Sequence, residues 1–219
     1  MTRFDYEQAR LNMIEQQIRT WDVLDVRVLD LLSAVRREEF VPPACRKLAF
    51  ADLELPLPNG FRMWTPKMEA RVLQELMVQS SDRVLEIGTG SGYLTALLAS
   101  EAGEVTSVEI DPATAADARA KLARHGLSNA RVEVGDGAHG FGNETYDVIV
   151  LTGSTPLLPA RFCEQLSAGG RIFAVVGEEP AMRARLVRLE APGATIATDL
   201  FETVIAPLVN AAALARFKF

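Results

Sequence analysis

The chain has 219 residues, enough for one medium domain with a sizeable core, and its 23 Lys and Arg against 29 Asp and Glu give a formal net charge of −6. That balance argues against a nucleic-acid partner, which needs a basic surface to neutralise phosphates. Cys45 and Cys163, with His125 and His139, share no metal-ligand spacing, so no metal is expected. The opening Met1 to Glu7 lacks the apolar centre of a leader, and no apolar run reaches the ~18 residues of a membrane span. The expectation is a cytoplasmic protein without a membrane partner.

In chain order, Leu11, Ile14 and Ile18 recur at helical spacing between Tyr6 and about Thr20, and a second amphipathic run covers Val26 to Val35. Pro42-Pro43, Pro56, Pro58, Asn59-Gly60 and Pro66 break residues 40–66 into turns, because proline fixes φ and removes a backbone donor. A helix is expected over Met68 to Val78. The pattern then becomes regular, with strands at 84–87, 105–109, 131–134, 146–151 and 171–176, and helices at 91–99, about 113–124 and 159–166. Alternation of short apolar strands with helices predicts an α/β, doubly wound and mostly parallel sheet. Two further strand-like runs, 184–189 and 200–209, flank a turn at Pro192-Gly193 and make seven strands, the last two an antiparallel pair at the edge. In the first of these, Arg183 to Arg188 alternates Arg with Ala, Leu and Val, as an element with one solvated face would. Residues 1–80 read as N-terminal helices and a loop packed on a core formed by 81–219.

The chemistry concentrates at strand ends. Val84 to Ile87 runs into Gly88-Thr89-Gly90-Ser91-Gly92, where the absence of side chains permits a tight turn and close approach of a ligand. Glu109 ends the next strand about twenty residues later, the spacing at which an acid accepts hydrogen bonds from ribose hydroxyls. Gly135-Asp136-Gly137 follows the third strand and offers an acid to an adenine amino group. One extended ligand at the carboxyl ends of the strands would touch all three. The G-x-G-x-G spacing, with Tyr93 next, lacks the third glycine of the dinucleotide fingerprint and favours S-adenosylmethionine over NAD.

Over nearly its whole length the chain resembles the protein-L-isoaspartate O-methyltransferase family. The resemblance is carried by Asn12 to Ile18, Asp25 to Leu29, Arg37 to Pro42, Ala49 to Asp52, Val84 to Tyr93, Ser107 to Asp111, Tyr146 to Val150 and Gly169-Gly170-Arg171. It implies a Rossmann-like methyltransferase sheet with an N-terminal helical extension, and S-adenosylmethionine as cofactor. By that resemblance Glu86, Gly88, Thr89, Gly90, Ser91 and Gly92 face the cofactor, Glu109 and Ile110 lie at the ribose, and Asp136 and Gly137 border the adenine. The implied acceptor is an isoaspartyl-like carboxylate of a protein or peptide, or a related small molecule.

Three departures bear on the acceptor. Where the family reads Gly-Gln-Thr-Ile-Ser-Gln-Pro, this chain reads Gly60-Phe61-Arg62-Met63-Trp64-Thr65-Pro66, so Trp64 stands at the family's active-site serine position. Glu144-Thr145 replaces an Ala-Pro dipeptide before Tyr146, and Val209 replaces a threonine after Pro207-Leu208; each is expected to remove a hydroxyl or a turn near the site. Trp64 packs the loop or stacks on a sulfonium, Thr65 offers a hydroxyl if the loop shifts by one, and Arg62 offers a guanidinium to a carboxylate. A catalytically silent cofactor-binding sensor or scaffold is the alternative that Trp64 raises. Tyr93 is expected to pack, His139 to lie on a surface loop, and Cys163 to be a buried helix position.

Overall fold

The computed structural model describes residues 4–191 and 193–212, so Pro192 of the expected Pro192-Gly193 turn lies outside the described residues. Helix α1 (Tyr6–Met13) starts at Asp5, whose carboxylate accepts from the Gln8 N–H at 3.0 Å. It passes directly into a wide π-type turn, Ile14–Ile18, and a tight 3-10 turn, Arg19–Trp21. The wide turn shifts the helical phase, so Met13, Ile14 and Ile18 are buried while Leu11, expected on the same face, stays 52 % exposed. Helix α2 (Val26–Ala34) is capped by Asp25 and buries Val28, Leu29, Leu31 and Leu32.

The proline-rich stretch is not all loop. After a 3-10 turn at Arg37–Glu39, it contains a further one at Pro43–Leu48 and a short antiparallel ribbon of β1 (Leu55–Pro56) and β2 (Arg62–Met63). Helix α3 (Pro66–Leu76) follows, with Pro66 in its first turn and the Thr65 hydroxyl accepting from Met68 N at its start.

The main sheet contains β3 (Arg83–Ile87), β4 (Glu104–Glu109), β5 (Ala130–Val134), β6 (Tyr146–Thr155), β7 (Leu166–Glu178), β8 (Ala181–Ala191) and β9 (Ala194–Glu202). Helices α4 (Tyr93–Glu101), α5 (Pro112–Arg124) and α6 (Ala160–Glu164) provide crossovers. Spatial order is β5-β4-β3-β6-β7-β8-β9, parallel through β7 and antiparallel for the last two. The seven-stranded, doubly wound sheet expected from the alternation is therefore present, and its strand order reverses direction between β3 and β6. On β8 the alternation of Arg183 and Arg185 with buried Ala184 and Leu186 puts both guanidinia toward Asp199 of β9.

One expectation fails at the carboxyl end. The run 200–209 is not a single strand: β9 ends at Glu202, and residues 205–208 turn back across β6, with Ser154 N donating to Ala206 O and Leu208 N to Ser154 O, both at 2.9 Å. Pro207, which has no N–H to donate to a ladder, sits in this returning segment opposite Ser154. The strap so formed lies over the carboxyl ends of the strands.

Alternation along β3 divides the core. Leu85 and Ile87 join Ile149, Phe162 and Ile172 on one face, while Val84 shares the other with Leu97, Phe173, Trp64 and the N-terminal Met13, Ile18 and Phe40. Through this second cluster runs Arg37, 1 % exposed, whose Nε donates to Ala49 O at 2.8 Å and Nη2 to Trp64 O at 2.6 Å; Nη1 pairs with Glu69. Its guanidinium also lies 5.1 Å from the centre of the Tyr93 ring. Removing this guanidinium leaves three buried acceptors, the Ala49 and Trp64 carbonyls and a Glu69 oxygen, without their donor. Arg37→Met is expected to lose about 3–5 kcal/mol in denaturant unfolding, a larger loss than from replacing the 57 %-exposed Arg183.

Candidate active site

The carboxyl ends of β3, β4, β5 and β6 open into a cleft of about 880 Å³, counted out to its mouth. Its floor is the turn after β3. Gly88 has φ +98, and a Cβ there would stand 2.1 Å from Thr152 Oγ1, which itself donates to Ile87 O and Gly88 O at 2.9 and 2.7 Å. Thr152 therefore locks the turn against β6, and only glycine fits beneath it. Gly90 (φ +53) presents its N–H to Glu109 Oε2 at 2.8 Å, while Asp111 N donates to Oε1 at 3.1 Å. Glu109, 3 % exposed, is thus fixed as an acceptor with lone pairs left for hydroxyls in the cleft.

Glu86 sits on β3 on the same face as Val84, fully buried. Its Oε2 accepts from Thr95 Oγ1 at 2.5 Å and Ser107 Oγ at 2.6 Å; Thr89 Oγ1 in turn donates to Ser107 at 2.5 Å. Its Oε1 is buried with no hydrogen-bond partner. Burial pushes this carboxyl up to about 7 against those two hydroxyl donors, and Glu109 pushes it further up. A buried, unpartnered carboxylate oxygen lining a cleft is a seat for a cation. Asp136, on the loop after β5, accepts from Ala138 N at 3.0 Å and Asn210 Nδ2 at 2.8 Å, which hold it below the usual carboxylate range. It lines the cleft with Ile110, Gly135 and Gly137.

Of the residues singled out in the sequence, Glu86, Gly88, Thr89, Gly90, Ser91, Glu109, Ile110, Asp136 and Gly137 line this one cleft, as do Arg62 and Trp64. Gly92 and Thr65 do not line it. Gly92 (φ +82) caps α4 where a Cβ would press on Ala118 at 3.2 Å, and the Thr65 hydroxyl caps α3. Trp64, 7 % exposed, packs edge-on to Phe173 at 6.1 Å while lining the cleft, and Arg62 stands at its edge, 59 % exposed and 4.0 Å from Glu54. Val209 also lines it. Glu144-Thr145 does not belong near the site: it precedes β6 at the amino end of the sheet, where Glu144 pairs with Arg83 and Arg131. Parallel pairing puts that loop opposite the cleft. Tyr93 is buried against Phe40, His139 is exposed, and Cys163 is half-buried on α6.

Sequence reasoning missed Glu69, Thr152 and Ala206, all of which line the cleft, whereas Pro207-Leu208-Val209 line it where the resemblance put them. Glu69 left a signal: it falls four residues before Leu73 and seven before Leu76, a charge on the buried stripe of α3.

A doubly wound sheet with a glycine turn after its first strand and a buried acid ending the second defines a Rossmann-like methyltransferase. The sequence model of the protein-L-isoaspartate(D-aspartate) O-methyltransferase family matches residues 8–213. A protein-L-isoaspartate O-methyltransferase of Methanoculleus marisnigri is 43 % identical over 78 % of each chain, and one of Koribacter versatilis is 36 % identical over 96 % of this chain and 94 % of its own. Among solved structures, a putative protein-L-isoaspartate O-methyltransferase of Plasmodium falciparum in complex with S-adenosyl-L-homocysteine superimposes with a TM-score of 0.79. It is 16 % identical and covers 94 % of this chain and 99 % of its own, a likeness of fold. The chain belongs to the protein-L-isoaspartate(D-aspartate) O-methyltransferase family, and it is a methyltransferase.

Two glycines separate space from conformation as constraints. Gly88→Ala is expected to destabilise by several kcal/mol and to abolish ligand binding in the cleft by calorimetry. Gly142→Ala, with φ +63 but nothing within 4 Å of its would-be Cβ, is expected to cost only about 1 kcal/mol and leave binding intact.

Proposed function

We propose that this methyltransferase esterifies the free carboxylate of isoaspartyl residues in peptides and proteins. S-adenosylmethionine is the cofactor. Membership of this family carries the isoaspartyl reading, and the buried, unpartnered Glu86 Oε1, in the cleft it lines with the glycine turn and Glu109, supports the cofactor. Glu86 would take the cofactor's ammonium group, Glu109 the ribose hydroxyls and Asp136 the adenine amino group.

When bound, S-adenosylmethionine supplies a methyl group activated by a sulfonium. The chain's own side chains bind, orient and keep water out. Leu57, Phe61, Met63, Trp64 and Leu208 give the cleft apolar walls, which hold nucleophile and methyl group together away from competing water. A carboxylate acceptor, with an ordinary pKa of about 4, is already ionised at neutral pH. The reaction therefore needs no general base, and no His-acid pair lines the cleft. Arg62 at the edge offers a guanidinium to acidic groups of the incoming peptide.

Trp64 favours a second reading, a cofactor-binding protein without turnover, because its buried ring takes space on the acceptor side of the cleft. Labelled cofactor with an isoaspartyl peptide separates the two. Methyl ester above a cofactor-only control is expected; tight cofactor binding with no ester on any acceptor establishes the silent form. Cofactor affinity is expected to rise with pH up to about 7, at most about tenfold per unit, since an ammonium favours ionised Glu86 and a proton must otherwise leave. In Glu86→Gln, calorimetry across pH 5 to 9 should find weaker binding without that rise.

A further inference from the structure

We propose that the Glu69 carboxyl group contacts the acceptor, donating a hydrogen bond to the carboxylate being methylated and so fixing which oxygen attacks. This rests on the isoaspartyl reading above. The segment 57–69 lines one side of the cleft with Leu57, Phe61, Met63 and Trp64, and its polar contributors are Arg62 and Glu69. The Arg62 side chain is 59 % exposed, at the edge; that of Glu69 is 3 % exposed. Glu69 is thus the polar group that this side carries inside the cleft.

The partners of Glu69 leave it available. Arg37 Nη1 holds Oε2, Nε serves Ala49 O and Nη2 serves Trp64 O, so each guanidinium nitrogen is tied into the fold. Among the described residues nothing donates to the second Glu69 oxygen. Arg37 faces Glu69 from the Arg37–Glu39 turn, Glu86 from β3 and Tyr93 from α4. Glu69 and Glu86 both line the cleft and lie close enough to repel each other, and one buried guanidinium, Arg37, pairs with Glu69. The incoming carboxylate adds a further negative charge beside them. A proton on Glu69 relieves both repulsions and turns an acceptor into a donor, as like-charged carboxyls in a low-dielectric site generally arrange. Burial pushes Glu69 up to about 8, against Arg37 and assisted by Glu86, which agrees with that geometry.

In the transfer the acceptor oxygen bonds to the methyl carbon as the carbon–sulfur bond breaks, and the electron pair stays on sulfur. No proton moves, so Glu69 ends the step protonated as it began. Above pH 8 the donor is lost, and the rate with an isoaspartyl peptide is expected to fall about tenfold per pH unit.

Kinetics and infrared spectroscopy test this on the full-length protein. Glu69→Gln, still a donor, should retain reduced activity with a flat profile above pH 8. Glu69→Leu should lose at least about a hundredfold in kcat/KM. Equal inactivation in both variants, or a fall above pH 8 that persists in Glu69→Gln, overturns the proposal. In the S-adenosylhomocysteine complex at pH 7, wild type should show a protonated-carboxyl carbonyl band that Glu69→Gln lacks; its absence from wild type also overturns it. The band decides the Glu69 proton even if Glu69→Leu fails to fold or no isoaspartyl ester forms, an outcome that would sink the isoaspartyl reading instead.

Discussion

The wall of the cleft that carries Trp64 and Glu69 hangs from one buried guanidinium. Arg37 reaches from the N-terminal extension to the backbone carbonyls of Ala49 and Trp64 and to the carboxyl group of Glu69, and stacks on Tyr93 of the sheet-packed helix α4. Four separate segments are tied by one side chain. The planar, five-donor fork of arginine suits that task in a way the single ammonium of lysine does not. Because the donors go to backbone as well as to a carboxylate, the contact fixes where Trp64 sits, and with it the shape of the cleft.

On the cofactor side the constraint is steric rather than electrostatic. Thr152 of β6 closes on the carbonyls of Ile87 and Gly88, leaving no room for a side chain. The turn that results aims the Gly90 N–H at Glu109, so the acid is oriented before any ligand arrives. Preorganisation of this kind removes ordering costs from binding. Glu86 is the opposite case: its unpartnered oxygen is held at a cost by the surrounding fold, and a cationic ligand would relieve it. The two sides of the cleft thus differ in character, one lined by the glycine turn with Glu86, Glu109 and Asp136, the other apolar with a single interior carboxyl, Glu69.

Legibility from sequence followed the range of the interaction. The sheet was readable because strand and helix periodicities are local, and Gly88, Glu109 and Asp136 could be placed because each lies at a strand end in one parallel sheet. Leu11 was misplaced because a π-type turn changes helical phase without an evident residue signal. The run 200–209 was read as one strand although Pro207 lies within it, and the strap it forms over β6 brings Leu208 and Val209 to the cleft. Glu144-Thr145 seemed near the site only because its neighbours in sequence do; parallel pairing carries it to the other end of the sheet.

By itself the sequence determined the α/β architecture, the glycine turn and the acids that follow it, since these depend on spacing along single elements. Tertiary structure alone decided that Glu69 lines the cleft beside Trp64. Glu69 is a helix residue whose significance comes from Arg37, more than thirty positions earlier, and from Glu86 on a different element. Burial, and the field of charges brought close by folding, set its chemistry, and neither is written in the local order of residues.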